Sequence, residues 1–361
     1  MLNFVLAAAL IQASPAASCY TPEEFRLSVP DPDSEIVIAG ELRRAVHGTD
    51  RPVIIMVTGS GDHVREQMIS GVPMFGMIAD ALTTSGYNVV LTDPRGFGAS
   101  MVNGATLDGP QWLSIPTDMR VADNQQILQW VSDQEGLGDT VMLGHSEGAM
   151  IAARLAADEA AVDQAILLST SSRPGDEVFA RQRTEFMVRN GVPREQAEAI
   201  YPALLDYARF VAGPERLDDA AFEAVVADIM QAQSVLPEPF YERDFLEFFR
   251  TGSDWHRAFM AEDPAEDLSR VEVPVLAFYG GADDATPPAA HAPALIAALA
   301  EAGNDDVELH ILPDQDHFFL EFEGERVDPH PFGQTQISDE LIAALLGALE
   351  QRYGLHDSCR G

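Results

Sequence analysis

The chain has 361 residues, 46% of them hydrophobic, and a formal charge of −36. That length holds one large α/β domain with an insertion, or two ordinary domains, with ample core. A surface this acidic repels nucleic acid and anionic lipid, which excludes both as partners, while it says nothing direct about substrate or oligomeric state.

Residues 1–18 carry no charged side chain, hold an apolar run from Phe4 to Ile11 and end in Ala16, Ala17 and Ser18, which suit signal peptidase. They read as a secretory signal peptide, with a buried N-terminal helix as the rival reading because the segment lacks Lys and Arg. The run is too short to span a bilayer. The expected location is therefore periplasmic or secreted. The chain's two cysteines, Cys19 and Cys359, lie at its extremes. A disulfide between them suits an oxidising compartment, and two unpaired thiols or a lipidated Cys19 stay open.

A β-branched strand is expected at 52–57, ending in Thr58-Gly59-Ser60-Gly61, then a helix over 73–85 with Met74, Met77, Ile78, Ala81 and Leu82 at helical spacing. A second strand at 87–92 runs into Asp93-Pro94-Arg95-Gly96-Phe97-Gly98, and a helix follows over 116–133 with Met119, Ile127, Leu128 and Trp130 facing the core. Strands at 140–143 and 164–169 flank an alanine-rich helix, and the alternation predicts a parallel sheet covered on both faces. From 176 to 250 the rhythm breaks into amphipathic helical stretches rich in Phe and Met, among them Phe179, Phe186, Phe245, Phe248 and Phe249. Strands return at 273–279 and 307–312 around a helix at 293–300, so the helical segment is an insertion placed where a lid over a site can sit.

Gly144-His145-Ser146-Glu147-Gly148 has the form G-x-S-x-G between a strand and a helix, the pattern of a nucleophile elbow. A glycine-rich turn with an idle serine is the rival reading of the motif on its own. A serine hydroxyl needs a base and a group to orient that base. Asp283 follows the strand at 273–279 and His317 follows the strand at 307–312, giving the order Ser, Asp, His.

With these motifs the chain resembles an α/β hydrolase. The elbow matches Gly144 to Gly148, the oxyanion loop Thr58 to Gly61, the D-x-R-G-x-G-x-S turn Asp93 to Ser100, the acid turn Gly280 to Pro287, and the terminal histidine His317 before Phe318 and Phe319. The G-S-G loop with a G-H-S-E-G elbow is similar to a subgroup of esterases and serine aminopeptidases. The resemblance covers 53–171 and 263–320 and implies a mostly parallel sheet with helices on both faces, a core of 19–171 and 263–361, and a helical lid over 172–262. It implies Ser146 as nucleophile, His317 as base and Asp283 as its orienting acid, chosen over the adjacent Asp284 by the family's spacing, with a solvated loop carboxylate as the rival reading of Asp283. It further implies backbone N–H groups of Glu147 and Ser60 as oxyanion donors.

The expected activity is hydrolysis of a small or medium carboxylic ester through an acyl-enzyme. An aminopeptidase, which would need lid carboxylates such as Glu177, Glu185, Asp206, Glu242 or Asp244 for a substrate ammonium, a thioesterase and a lactonase are alternatives. A non-catalytic binding protein of the same fold fits an intact triad poorly. No metal motif, dinucleotide fingerprint or cofactor is implied. His310 reads as structural, His63, His256 and His291 as surface or packing residues, and His145 as loop packing. Asp62, Arg65 and Glu66 read as a solvated cluster at the pocket rim.

Overall fold

The computed structural model describes residues 19–46, 50–322 and 335–354. Its central sheet is built from β1 (Tyr20–Val29), β2 (Ile36–Ala45), β3 (Arg51–Val57), β4 (Asn88–Thr92), β5 (Leu137–His145), β6 (Gln164–Leu168), β7 (Val275–Gly280) and β8 (Val307–Leu312). They lie in the order β1-β2-β4-β3-β5-β6-β7-β8, with Met101–Val102 added to β2. The β1/β2 and β2/β4 pairs are antiparallel and the rest of the path is parallel.

Period-two alternation in β3 decides which side chain goes to which face. Val53, Ile55 and Val57 enter one core with Ile127, Leu128, Ile151, Leu155 and Leu295, while Ile54 and Met56 enter the other with Phe75, Ile78, Leu82, Leu341 and Leu345. The first core is covered by α2 (Thr117–Ser132), α3 (Glu147–Asp158) and α10 (Pro288–Glu301), and the second by α1 (Met74–Thr84) and α11 (Asp339–Tyr353). A sheet buried on both faces accounts for the continuous apolar runs of its inner strands.

Between β6 and β7 the chain forms α4 (Gly175–Arg189), α5 (Arg194–Ala212), α6 (Asp219–Ala232), α7 (Arg243–Thr251) and α8 (Asp254–Ala261), followed by the short α9 (Pro264–Leu268). These insertion helices have a core of their own, centred on Phe179, Leu204, Tyr207, Phe222 and Phe249. The insertion's two ends meet where Gly175 N–H donates to Glu262 O at 2.8 Å.

Several elements differ from the sequence expectation. The β1/β2 hairpin was not anticipated because β1 has no apolar run; it is held by Phe25, which lies across Gly40 and stacks on Trp130 at 4.0 Å. The helix expected at 293–300 begins at Pro288, where a proline in the first turn loses no hydrogen bond, and runs through Pro293. Met119, expected in the core, is 40% exposed, whereas Ile127 and Leu128 are buried. Cys19 is buried at the start of β1 and disulfide-bonded, while Cys359, its expected partner, and the expected signal segment 1–18 lie outside the described residues.

The crossing of α3 over β3 and β5 tolerates no side chain at Gly148, where a Cβ would lie 2.0 Å from Val57 O and 2.5 Å from Thr58 O. We expect Gly148→Ala to lower stability by about 3 kcal/mol or more, as read from urea denaturation. Wild-type stability in that variant would contradict the packing.

Candidate active site

The four loops that carry the expected chemistry leave the sheet at one edge. β3 ends at Val57 before Thr58-Gly59-Ser60, β5 at His145 before Ser146, β7 at Gly280 before Asp283, and β8 at Leu312 before His317. This is the carboxyl edge, where open α/β sheets place their sites.

Ser146 has φ 55° and ψ −120°, a strained conformation for a side chain that is not glycine. Gly144 and Gly148 permit the sharp turn, since a Cβ on Gly144 would lie 2.0 Å from Gly148 O. The Ser146 N–H donates to Leu168 O at 2.9 Å, which pins the elbow to β6. Gln67, Ser169 and Phe319 also have positive φ, and all belong to loops around the elbow.

His317 Nδ1 lies 2.9 Å from Asp283 Oδ2. Asp283 Oδ1 accepts from the N–H groups of Ala285 and Thr286, both at 2.8 Å, and Oδ2 accepts from Thr286 Oγ1 at 2.8 Å. Thr286 itself is a residue the sequence reading missed; the threonine within the acid turn was its only signal. Asp284 points elsewhere, to Arg189 at 3.1 Å, and is half-exposed. Burial opposes ionisation of Asp283, but the charge of His317 and the hydrogen bonds from His317 and Thr286 hold its carboxyl far below the usual range. Burial likewise opposes protonation of His317, and the Asp283 charge and hydrogen bond outweigh it, so its pKa is raised. Among the described residues no hydrogen bond joins Ser146 Oγ to His317 Nε2. Catalytic hydrogen bonds of this kind often close only around substrate.

Glu147 is the first residue of α3, so its N–H has no acceptor within the helix. The N–H of Ser60 has no acceptor among the described residues. The loop carrying Ser60 packs directly on Ser146, since a Cβ on Gly59 would stand 3.5 Å from Ser146 Cβ. Two free amides therefore flank the serine at the positive end of α3, the arrangement an oxyanion requires.

Residues outside the expected set hold this loop. Gly59 N–H donates to Gln67 Oε1 at 2.9 Å, which leaves Gln67 Nε2 to donate to His145 Nδ1 at 2.7 Å. His145 Nε2 faces the carbonyl of His317 at 2.8 Å and so must carry the proton. Read as loop packing, His145 is instead a neutral connector between the oxyanion loop and the histidine loop; burial and the nearby His317 push its pKa down to about 3. Gln67 is fully buried, and its polar side chain eight residues past the loop gave no periodic signal.

Arg120 donates to Thr58 O at 2.6 Å, to Gly59 O at 3.0 Å and to Glu147 Oε2 at 2.6 Å. Glu147 Oε1 also accepts from Thr117 Oγ1 and Trp255 Nε1, both at 2.9 Å, which ties α8 of the insertion to the elbow. Arg65, read as part of a solvated rim, is buried and paired with Asp93 at 2.9 Å and Glu24 at 3.0 Å, whereas Asp62 is exposed. His291 is buried against Ser172, and His310 stacks on Phe278 at 4.8 Å, as packing residues do. A groove of ≈ 530 Å³ opens beside the acid loop, lined by Arg173, Val178, Tyr201, Pro287 and His291. Among the described residues no group of His, Cys, Asp and Glu is placed to hold a metal ion, and no helix is long and apolar enough to cross a membrane.

The His317 imidazole should titrate above the ordinary 6.5 in NMR. Its extra stability is then present below 6.5 and lost as pH rises through the higher folded value. Asp283→Asn leaves burial opposed only by the charge of Asp284 and should move the titration below 6.5. A variant that still titrates above 6.5 would detach the shift from Asp283.

Comparison with known proteins agrees with this geometry. The family described as serine aminopeptidase, S33, matches residues 49–325. Among solved structures, the Pyrococcus furiosus esterase Pf2001 is 13% identical over 95% of this chain and 94% of that one, with a TM-score of 0.55. The α/β hydrolase GrgF from Penicillium sp. sh18 is 14% identical over 92% of this chain and 99% of that one, with a TM-score of 0.51. No curated protein matches by sequence. The sheet order, the elbow and the family match together identify the chain as a member of the S33 serine aminopeptidase family, with the α/β hydrolase fold.

Proposed function

We propose that this hydrolase cleaves carboxylic esters through an acyl-enzyme. Ser146 Oγ attacks the carbonyl carbon while His317 Nε2 takes its proton, and the imidazolium is held by the Nδ1–H bond to Asp283. The oxyanion is stabilised by the N–H groups of Glu147 and Ser60, each such donor contributing about 3 kcal/mol in related sites. Collapse expels the alcohol with the proton from His317. Water activated by the same histidine then releases the acid.

The observation that favours an ester over an aminoacyl amide concerns the insertion's carboxylates. An aminopeptidase must hold a substrate ammonium with free negative charge. Glu177 is paired with Arg173 and Glu185 with Arg194, while Asp206, Glu242 and Asp244 are exposed. Glu147 is already bound by Arg120, Thr117 and Trp255. None of these is both free of an arginine and enclosed, as a site for an ammonium beneath the insertion requires.

Nitrophenyl esters of increasing chain length should be turned over by the wild type, with kcat reduced roughly 10⁶-fold, to background, in Ser146→Ala. Turnover of aminoacyl or prolyl naphthylamides without ester turnover would reverse the preference, and unchanged rates in Ser146→Ala would remove the mechanism.

The same reading includes export to the periplasm or the exterior, supported by the charge-free segment 1–18 and by Cys19 directly after it. Non-reducing mass analysis of the exported chain should give an N-terminus at Cys19 and a mass lighter by two hydrogens than after reduction. A free thiol on Cys19 or Cys359 would exclude the bridge.

A further inference from the structure

The insertion holds one cation that its surroundings do not explain. In a chain with 58 acidic and 22 basic residues, buried arginines are expected to find carboxylates, as Arg65, Arg95 and Arg120 do. Arg183 does not. Its Nε is buried without a hydrogen-bond partner, and among the described residues no carboxylate or carbonyl accepts from its guanidinium. It lies over the rings of Phe179, Phe186 and Phe249, at 5.5, 5.7 and 5.9 Å from their centroids. Burial pushes its pKa below the ordinary arginine value, with Tyr241 only partly offsetting this. The ring faces attract the cation but accept none of its N–H groups, so the half-buried guanidinium keeps its terminal nitrogens unpaired among the described residues.

The position of Arg183 along α4 connects it to the chemistry. At the helix's start, Val178 packs with Met150 of α3, one turn beyond the nucleophile. In its middle, Gln182 Nε2 donates to Ala285 O at 3.2 Å, two residues past Asp283. At its end, Arg189 pairs with Asp284. The helix thus crosses from the elbow to the acid loop, with Arg183 beside the residue that touches the latter. On the other side, Phe249 packs edge-on to His256 at 4.6 Å, and His256 adjoins Trp255, the donor to Glu147. Burial and the Arg183 charge push the His256 pKa down to about 3, so it adds no second cation.

We propose that Arg183 is the receptor for a carboxylate on the substrate, so that the preferred esters are half-esters of dicarboxylic acids or other esters with an anionic group on the acyl side. This rests on the ester-hydrolase reading above and narrows it. A substrate carboxylate supplies the partner that the protein withholds, in a planar two-point contact suited to guanidinium. The three rings against it lower the local dielectric on one side and strengthen the pair. The same cation repels a substrate ammonium, which agrees with an ester rather than an aminoacyl substrate.

The test is a matched pair of esters, mono-4-nitrophenyl glutarate and 4-nitrophenyl valerate, assayed with the wild type, Arg183→Met and Arg183→Lys. The readout is the ratio of kcat/KM for the half-ester to that for the neutral ester. We expect this ratio to exceed one in the wild type, to fall at least tenfold in Arg183→Met and to be partly restored in Arg183→Lys, which keeps the charge without the fork. A thermal melt of each variant checks folding, and because the readout is a ratio within one preparation, a partly unfolded sample does not mimic the effect. A wild type that disfavours the half-ester, or a ratio unchanged in Arg183→Met, overturns the assignment. If neither ester is turned over, the esterase reading itself fails, and that outcome is distinct from hydrolysis of the neutral ester alone, which removes only the role of Arg183.

Discussion

Helix α3 starts within one residue of β5 because no side chain stands between them. The approach of Gly148 to Val57 O, and of Gly144 to Gly148 O, leaves no room for even a methyl group. That contact forces the chain to turn at Ser146 through a positive φ, and the same contact aims the free N–H end of the helix at the space above the serine. The strain at Ser146, and at Gln67 and Phe319 nearby, costs about 1 to 3 kcal/mol per residue and persists because two buried cores fix the strands on either side. The rest of the site is arranged around this one turn.

Electrostatics acts here through a few buried arginines rather than through the large net charge. Arg65 joins the loop after β3 to Asp93, Arg95 joins the turn after β4 to Asp123, and Arg120 joins Thr58 and Gly59 to Glu147. Pairs this buried return little net stability, because desolvation consumes most of their attraction. What they fix is position: each clamps a loop at the carboxyl edge of the sheet to a neighbouring element. The D-x-R-G-x-G-x-S turn, which carries no catalytic group, is explained in this way. Asp93 accepts from Arg65 and from Ala99 N–H, and a Cβ on Gly98 would strike its carboxylate.

The sequence made the inner strands, the order of the chemical loops and the helical stretch between β6 and β7 legible, because apolar runs, glycine-rich turns and broken rhythm are local signals. β1 was invisible because its stability comes from pairing with β2 and from Phe25 lying on Trp130, neither of which leaves an alternating apolar pattern. Gln67 and Arg120 were invisible for a related reason. Both are polar residues buried by partners distant along the chain, and in one sequence such a residue looks like any solvated one. Asp283 and Asp284 are adjacent and chemically identical, so only spacing separated them; in three dimensions one faces His317 and the other faces Arg189.

His145 shows how much of the site lies in its connections. The path from Gly59 N–H through Gln67 and His145 to the carbonyl of His317 joins the oxyanion loop to the histidine loop across the elbow itself. It works only in one tautomer, because the carbonyl must receive a proton and Gln67, having accepted from Gly59, must give one. A protonated His145 would present a donor where Gln67 also offers one and break the path, so burial that holds its pKa near 3 is part of the design of the loop pair. The loops carrying Gly59 and His317 are then fixed relative to each other by a group that need not exchange a proton. The Asp283–His317 pair is driven the opposite way, toward charge separation. Two histidines with ring centroids 4.9 Å apart are thus driven apart in charge, one kept neutral to hold geometry and the other paired with a carboxylate, as the proposed role of His317 as base requires.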